Sequence, residues 1–390
     1  MKILLRTLAL PLAAVLLFSS AVPAPKTSET PADTVPEGCI GSLPVSAESA
    51  ILIEAKTGTA LYEKEADERL PMASTTKIMT ALVALELAPP ETVVTVPREA
   101  VGTEGSSVYL FEEEQLTLEQ LLYALLLASA NDAAVAIACG TAGSVEAFAG
   151  KMNEKAASLG LRNTHFVNPH GLDDPDHYTS ARDLAVIARA ALEVPLIRKA
   201  VSTQKITIPH NAEDGVRLLV NHNKLLRMYD GAIGVKTGFT KRSGRCLVSA
   251  AERDGVTLIA VTLRAPDDWN DHRLLLDSGF AAVESVILCD DGSCRRSVPV
   301  VGGTVTEITV ANPSGLRVLL PSDHGEITSS VELPRFLYAP VPEGKTVGQV
   351  VFRCDGRTVG TVPLITEDCA EKPERAGFFR RLLDRLFRKK

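Results

Sequence analysis

Ser74 and Lys77 are the first pair of side chains in this chain whose types and spacing suit covalent chemistry. An apolar helical pattern follows them from Ile78 to Leu85, so we expect Ser74 at or near a helix N-terminus. Residues three apart share a helix face, which brings the amine close to the hydroxyl. An amine can activate a serine when burial or a second cation lowers its pKa, and helix N–H groups can stabilise an oxyanion. The pair therefore predicts nucleophilic catalysis by Ser74 with Lys77 as the base.

Two further polar motifs make the prediction of a catalytic serine more specific than the Ser74–Lys77 pair alone. They are Ser129-Ala130-Asn131 and Lys236-Thr237-Gly238. The Ser-x-x-Lys spacing recurs at Ser202, where an ordinary helix cap explains it. A second Lys-Thr-Gly begins at Lys56 in a predicted hairpin turn, and we interpret it as turn chemistry. At Gly238, in contrast, the missing side chain would let a substrate backbone lie alongside a strand.

The ordered set of Ser-x-x-Lys, Ser-x-Asn and Lys-Thr-Gly is the signature of penicillin-binding proteins and class A β-lactamases. On these motifs the chain resembles the low-molecular-weight penicillin-binding proteins, which are serine D-alanyl-D-alanine carboxypeptidases with a membrane-anchoring C-terminal helix. The resemblance covers nearly the whole mature chain and includes the segments Leu70-Pro71-Met72-Ala73-Ser74, Asn223-Lys224-Leu225-Leu226, Ser243-Gly244 and Leu275-Leu276. It implies an α/β (α+β) penicillin-binding/β-lactamase-like transpeptidase domain that removes the terminal D-alanine of peptidoglycan pentapeptides.

The resemblance also implies a catalytic role for several motif residues. Lys77 would take the proton of Ser74, which attacks the carbonyl between the two terminal D-alanines. Ser129 together with Lys77 would pass a proton to the departing D-alanine. The backbone N–H groups of Ser74 and Phe239 would form the oxyanion hole. Peptidoglycan stem peptides are then the substrates, and β-lactams are covalent inhibitors.

The remaining motif residues would hold the substrate. Asn131 would bind its amide, and Lys236 with Thr237 would bind its terminal carboxylate beside Gly238. The charge of Lys236 would also help to keep Lys77 neutral.

One feature common among these relatives is missing from the sequence. Many of them have an arginine for the substrate carboxylate between the last core strand and the final helix of the domain. The corresponding stretch here, residues 265–271, contains none. Arg264 and Arg273 flank it, and the role stays unassigned at this point.

Three other functions share part of the pattern. A β-lactamase would need an added carboxylate for its deacylating water and would not normally carry further C-terminal segments. A DD-endopeptidase cuts cross-links and differs from a carboxypeptidase in which amine leaves. A non-catalytic cell-wall binding protein predicts degraded motifs, whereas all six polar motif residues are present here. The carboxypeptidase is the preferred interpretation, with these three as alternatives.

The surrounding sequence predicts the elements that position the motifs. They are, in chain order, a β-hairpin at 51–53 and 60–62, a helix from a capping box at Thr117 and Gln120 to Leu127, a helix from Asp132 to Cys139 that stops at Gly140, a helix from Ser180 to Leu192, and strands at 245–251 and 256–263. Together they predict a mixed domain, part sheet and part helical, which we place at residues 45–285.

From about Val286 the pattern becomes all β, with short apolar runs separated by Gly, Pro, Asn and Asp. Asp355-Gly356 is a strong hairpin signal. We predict a small β-sandwich at residues 286–370 that acts as a spacer.

The two ends of the chain predict export and attachment. Residues 1–24 have the charged, apolar and small-residue regions of a signal peptide, and residues 25–44 have the composition of a flexible leader. Residues 374–390 place apolar side chains on one helix face and basic ones on the other, which is typical of a helix lying on an anionic membrane surface. We expect the protein at the outer face of the cytoplasmic membrane, anchored by this amphipathic helix.

Composition argues against several other classes of protein. The chain has 390 residues, 45% of them hydrophobic, which suffices for one large core and a smaller domain. A net charge of -7 gives no general basic face, so nucleic acid is not an expected partner. Seven scattered cysteines do not make a disulfide scaffold, and no histidine neighbours them at zinc-ligand spacing. We expect neither a metal nor another cofactor.

Overall fold

A computed structural model describes residues 38–210 and 215–373 of the chain. The strands of its first part are β1 (Ser49–Glu54), β2 (Ala60–Lys64), β3 (Val93–Thr95), β4 (Gln115–Thr117), β5 (Lys205–His210), β6 (Gly215–Val220), β7 (Ala232–Thr240), β8 (Gly244–Arg253) and β9 (Val256–Leu263). The helices are α1 (Lys77–Leu87), α2 (Leu118–Leu127), α3 (Asn131–Ala142), α4 (Val145–Ser158), α5 (Ala181–Leu192), α6 (Pro195–Ser202), α7 (Leu225–Met228) and α8 (Asp268–Ala282).

An antiparallel sheet with the strand order β2-β1-β9-β8-β7 forms the centre of this part. The predicted hairpin is confirmed as β1 and β2, and the predicted strands at 245–251 and 256–263 are confirmed within β8 and β9. The apolar side chains form two buried clusters, one shared with α1, α2, α3 and α5 and one shared with α8. The sheet is therefore covered by helices on both faces, and β7 lies at its edge.

The helix starts agree with the predicted caps. Thr117 Oγ1 accepts a hydrogen bond from Gln120 N at 3.3 Å while Thr117 N donates to Gln120 Oε1 at 2.8 Å, which confirms the capping box. Ser180 Oγ accepts from Asp183 N at 3.1 Å at the start of α5. Both helices end where the sequence predicts.

The predicted end of the third helix is wrong. α3 continues past Gly140 to Ala142 and ends at Gly143, whose φ of 86° suits glycine. Gly140 serves packing instead, because a Cβ there would lie 2.6 Å from a methyl group of Val94 on β3.

The second part of the chain is β-rich. Its strands are β10 (Val283–Cys289), β11 (Arg296–Val301), β12 (Glu307–Ala311), β13 (Leu316–Pro321), β14 (Ile327–Glu332), β15 (Leu337–Tyr338), β16 (Thr346–Cys354) and β17 (Arg357–Thr366). β10 and β13 form one sheet, and a second sheet has the order β14-β16-β17-β12-β11-β15. Apolar residues of both sheets share one buried cluster. The hairpin predicted at Asp355-Gly356 joins β16 to β17.

The predicted signal peptide at 1–24, residues 25–37 of the leader and the predicted helix at 374–390 lie outside the described residues. The described remainder of the leader is held against β2, since Gly38 N donates to Ala60 O at 2.8 Å and Ile40 N to Leu61 O at 3.0 Å. In the described ranges no single helix is long and apolar enough to cross a membrane, although α3 and α4, bent by 84°, pass that test as a pair.

Candidate active site

Ser74 lies in a short 3-10 turn, Ala73–Thr76, that leads directly into α1. The sequence places it at or near a helix N-terminus, and the structure adds that Lys77 is the first residue of the α-helix itself. The turn is held internally, because Thr75 Oγ1 donates to Met72 O at 2.6 Å and Thr76 Oγ1 donates to Ala73 O at 2.8 Å. Ala73 has a φ of 49°, a left-handed conformation that costs a non-glycine residue about 1–3 kcal/mol.

The Lys77 amine is fully buried and contacts three oxygen atoms. Its Nζ lies 3.0 Å from Ser74 Oγ, 2.7 Å from Asn131 Oδ1 and 2.6 Å from the carbonyl oxygen of His170. A carbonyl oxygen only accepts hydrogen bonds, whereas a serine hydroxyl can also donate one. A neutral amine has two N–H groups and a lone pair, so the two carbonyl oxygens take both N–H groups. The lone pair then points to the Ser74 hydroxyl, which is the arrangement that a general base requires.

Burial and a neighbouring cation favour this neutral state. Burial lowers the pKa of Lys77 well below its ordinary value, and the positive charge of Lys236 lowers it further, while the charge of Asp132 acts in the opposite direction. Lys236 is itself 1% exposed, and burial lowers its pKa to about 7. Its Nζ donates to the carbonyl oxygen of Thr237 at 2.9 Å.

The second motif lies at the junction between α2 and α3. Asn131 opens α3, and its side-chain amide donates to Glu104 O at 2.6 Å while its Oδ1 accepts from Lys77. Ser129 is 4% exposed and has a φ of 59°. Among the described contacts its hydroxyl bonds neither Ser74 nor Lys77, so the structure brings Ser129 into the same cleft without joining it to that pair.

The third motif lies on the edge strand β7. Gly238 pairs with Cys246 of β8, and a Cβ there would lie 3.0 Å from Ser74 N and 3.1 Å from Met72 O. A side chain at this position would therefore push β7 and the turn that carries Ser74 slightly apart. The close approach places Gly238 beside the backbone nitrogen of Ser74.

A loop that carried no signal of its own in the sequence completes the surroundings of Lys77. His170 contributes only its backbone oxygen, so its residue type gave no clue. Gly171 has a φ of 92°, and a Cβ there would lie 1.9 Å from Ala73 O. No side-chain motif in the Asn168-Pro169-His170-Gly171 stretch indicates these backbone contacts.

His177 is hydrogen-bonded to the 3-10 turn that carries Ser74. Its Nδ1 accepts from Val167 N at 3.1 Å, so the proton of the neutral ring is on Nε2, which lies 2.8 Å from Thr76 Oγ1. Burial lowers the pKa of His177 to about 4, which keeps the ring neutral. The chain of bonds from His177 through Thr76 to Ala73 O fixes the turn that carries Ser74.

The loop that faces Asn131 is held by two buried acids. Asp132 accepts from Ser107 Oγ at 2.6 Å and from Leu110 N at 3.0 Å. Glu114 forms a bidentate salt bridge with Arg217, at 2.5 and 2.9 Å, and the same guanidinium donates to Val108 O at 2.9 Å. These bonds fix residues 107–110 of the loop, which follow Glu104, whose carbonyl oxygen accepts from Asn131.

The motifs meet at a cleft of about 370 Å³. The side chains and backbone that line it are Ser74, Ser106, Ser129, His222, Lys224, Thr237, Gly238, Phe239, Arg245, Asp268 and Trp269. The two repeated motifs lie elsewhere: Ser202 Oγ donates to Lys199 O at 3.1 Å at the end of α6, and Lys56 N donates to Glu54 Oε1 at 3.0 Å in the β1–β2 turn.

Comparison with known proteins gives one consistent result. The family described as D-alanyl-D-alanine carboxypeptidase matches residues 37–267, and the penicillin-binding protein 5 C-terminal domain matches residues 284–372. The D-alanyl-D-alanine carboxypeptidase DacF of Bacillus subtilis is 34% identical over 342 residues, which cover 85% of this chain and 87% of that protein. DacA of Escherichia coli, also a D-alanyl-D-alanine carboxypeptidase, is 33% identical over 360 residues, which cover 87% of each. The structure of penicillin binding protein 5 from Haemophilus influenzae covers 85% of this chain and 100% of its own, with 28% identity and a TM-score of 0.65.

Proposed function

Since the chain belongs to the D-alanyl-D-alanine carboxypeptidase family and is a serine peptidase of that family, we propose that Ser74 is its nucleophile and Lys77 its general base. The contact set of Lys77 is the observation that supports this assignment. Two oxygens that can only accept occupy the N–H groups of the neutral amine, so its lone pair is available for the Ser74 proton.

The proposed reaction runs through an ester on Ser74. The Ser74 proton passes to Lys77 as Oγ bonds the carbonyl carbon between the two terminal D-alanines, and the N–H groups of Ser74 and Phe239 stabilise the oxyanion. The C–N bond then breaks, and the departing amine takes the proton from Lys77 through the hydroxyl of Ser129. Water hydrolyses the ester with Lys77 again as the base and restores Ser74.

The other motif residues position the substrate in this proposal. Lys236 and Thr237 bind the terminal carboxylate, and the bare edge of β7 at Gly238 accommodates the peptide backbone. Asn131 accepts a hydrogen bond from Lys77 and binds the substrate amide when the peptide enters. Peptidoglycan stem peptides are the substrates, and β-lactams acylate the same serine.

We also propose that the protein is exported and attached to the outer face of the cytoplasmic membrane. The signal-peptide pattern at 1–24 and the basic amphipathic pattern at 374–390 support this placement.

Benzylpenicillin tests the nucleophile directly. Attack by Ser74 opens the lactam C–N bond and keeps both halves attached, so intact-protein mass spectrometry is expected to show a gain equal to the whole penicillin molecule. Ser74→Ala is expected to abolish the adduct, while Ser202→Ala, in the repeated motif, leaves the yield unchanged. An adduct of equal yield on the Ser74→Ala protein would refute the assignment.

A further inference from the structure

Arg245 lies on the wall of the active-site cleft, although no motif in the sequence points to it. It is near the start of β8, directly opposite Phe239 of β7 in the antiparallel register. Thr237 and Gly238 line the same cleft from β7. The guanidinium therefore belongs to the side of the cleft where the proposed carboxylate-binding residues lie.

A buried acid holds this guanidinium in a loose contact. Arg245 Nη1 lies 3.5 Å from Asp268 Oδ1 and 3.4 Å from Oδ2, which is long for a charge-assisted hydrogen bond. The Asp268 side chain is 5% exposed whereas that of Arg245 is 50% exposed. No other side-chain partner of Arg245 is found among residues 38–210 and 215–373. A guanidinium has five N–H donors, so several remain for an incoming carboxylate.

The two arginines that flank the stretch 265–271 do not offer free N–H donors to the cleft. Arg264 is bound to both carboxylate oxygens of Glu48, at 2.8 and 2.9 Å, and Arg273 is exposed on α8 outside the cleft lining. Lys224 is a second cation on the cleft wall, but it is a flexible point charge without the planar fork that matches a carboxylate.

We propose that Arg245 is the second cation of the carboxylate subsite, beside Lys236, and that Asp268 positions its guanidinium. Arg245 thereby selects peptides with a free C-terminal carboxylate, which distinguishes a chain end from an interior peptide bond. Asp268 keeps the guanidinium turned along the cleft wall, and its long contact yields to a bidentate bond with the substrate. This inference rests on the proposed function of the Ser74 site.

A matched pair of substrates isolates the proposed contact between Arg245 and the substrate carboxylate. Diacetyl-L-lysyl-D-alanyl-D-lactate and its methyl ester deliver the same acyl group to Ser74 and differ only in the terminal carboxylate. We expect Arg245→Gln to lower kcat/KM for the free acid by about 10- to 100-fold, the range of a lost charge-assisted hydrogen bond. Turnover of the methyl ester is expected to stay within about twofold of the wild type, which also shows that the variant is folded.

Two more variants complete the test. Arg245→Lys keeps the charge without the fork and is expected to give an intermediate acid-to-ester ratio, and Lys224→Gln is expected to leave the ratio unchanged. Equal losses on both substrates in Arg245→Gln, or a collapse of the ratio in Lys224→Gln, would overturn the role of Arg245 in an enzyme that remains active. A wild type that hydrolyses neither ester would overturn the proposed function, and this inference with it.

Discussion

Lys77 and Lys236 share one buried site but need opposite charge states. Lys77 accepts a proton only when it is neutral, whereas Lys236 attracts a carboxylate only when it is charged. Burial lowers the pKa of both amines, and the charge of Lys236 lowers that of Lys77 further. The productive state of the free enzyme therefore has Lys77 neutral and Lys236 charged, and the pKa of Lys236 lies at about 7.

The pH profile of kcat/KM reports the pH range in which Lys77 is neutral and Lys236 is charged. We expect a bell-shaped profile, with an acid limb from protonation of Lys77 and an alkaline limb from deprotonation of Lys236 near pH 7. Lys236→Ala removes the alkaline limb, and because Lys77 loses a repelling charge its pKa rises, so the acid limb moves to higher pH. Where Lys236 of the wild type is charged and Lys77 is neutral, the loss of the carboxylate contact lowers kcat/KM by about 10- to 100-fold, and this difference shrinks as the pH rises above 7 and Lys236 deprotonates.

Lys56→Ala is the matched control, since Lys56 begins the second Lys-Thr-Gly sequence, which lies in the β1–β2 turn and outside the cleft. Turnover of a peptide ending in D-Ala-D-Ala, measured across pH for both variants, distinguishes the two. A silent Lys236→Ala beside a damaging Lys56→Ala would mean that the wrong Lys-Thr-Gly has been placed in the active site.

The positions of single residues were predictable where the side chains themselves define the motif. Ser74, Lys77 and Asn131 meet as expected because the motif is defined by side-chain type. His170 escaped prediction because it acts through its backbone oxygen. Arg245 escaped because its partner Asp268 lies on another element, 23 residues further along the chain.

At the scale of elements, the site depends on how closely three backbone segments approach one another. The 3-10 turn before α1 contacts β7 at Gly238 and the 168–171 loop at Gly171. A Cβ at Gly171 would overlap the backbone of the turn, and a Cβ at Gly238 would press on the turn and require its neighbours to shift slightly. The nucleophile is thus positioned by glycines on neighbouring segments as well as by its own helix.

Gly171→Ala tests this positioning. A Cβ at residue 171 would lie 1.9 Å from Ala73 O, so the loop and the nucleophile turn must move apart. We expect acylation by benzylpenicillin to slow by more than about tenfold, because misplacement of reacting groups by about 1 Å can cost about 100-fold. Rates of adduct formation from mass spectrometry give the measurement.

Gly160→Ala is the control for backbone conformation. Gly160 has a φ of 74° and no atom within 4 Å of its Cβ position. Both variants pay about 1–2 kcal/mol for a left-handed alanine, but only Gly171→Ala disturbs Ala73. Similar acylation rates in the two variants would show that the contact with the turn does not position Ser74.

Element boundaries were predictable where a local signal marks them. The capping residues at Thr117 and Ser180 gave the starts of α2 and α5, because a cap bonds its own first turn. The end of α3 was missed since Gly140 is small in order to fit Val94, and that contact depends on tertiary packing.

On the scale of the whole molecule, the proposed catalytic residues and the proposed attachment segment are separate along the chain. The catalytic motifs span residues 74 to 238, the β-rich part follows from Val283, and the proposed membrane helix comes after residue 373. The two-part organisation was predictable because the strand pattern changes after α8. The pairing order of the strands was not, since it depends on contacts between distant segments.

Deletion of residues 377–390 tests this separation. We expect the truncated protein to be released from membranes and to keep its turnover of soluble D-Ala-D-Ala peptide within about twofold, because surface changes remote from a site usually have small effects. Membrane fractionation after a salt wash, together with an assay for free D-alanine, measures both. If the truncated protein still sediments with membranes, the attachment lies in another segment.

The edge position of β7 has a consequence for solubility. A strand whose outer edge stays open for an extended ligand also offers its backbone groups to other polypeptides, and open edges are a common origin of aggregation. Lys224 and Arg245 line the cleft beside β7, so two copies approaching at this cleft would bring like charges together. We therefore expect the cations at the cleft to oppose edge-to-edge association of two copies, and since salt screens exposed charges, this effect weakens as ionic strength rises.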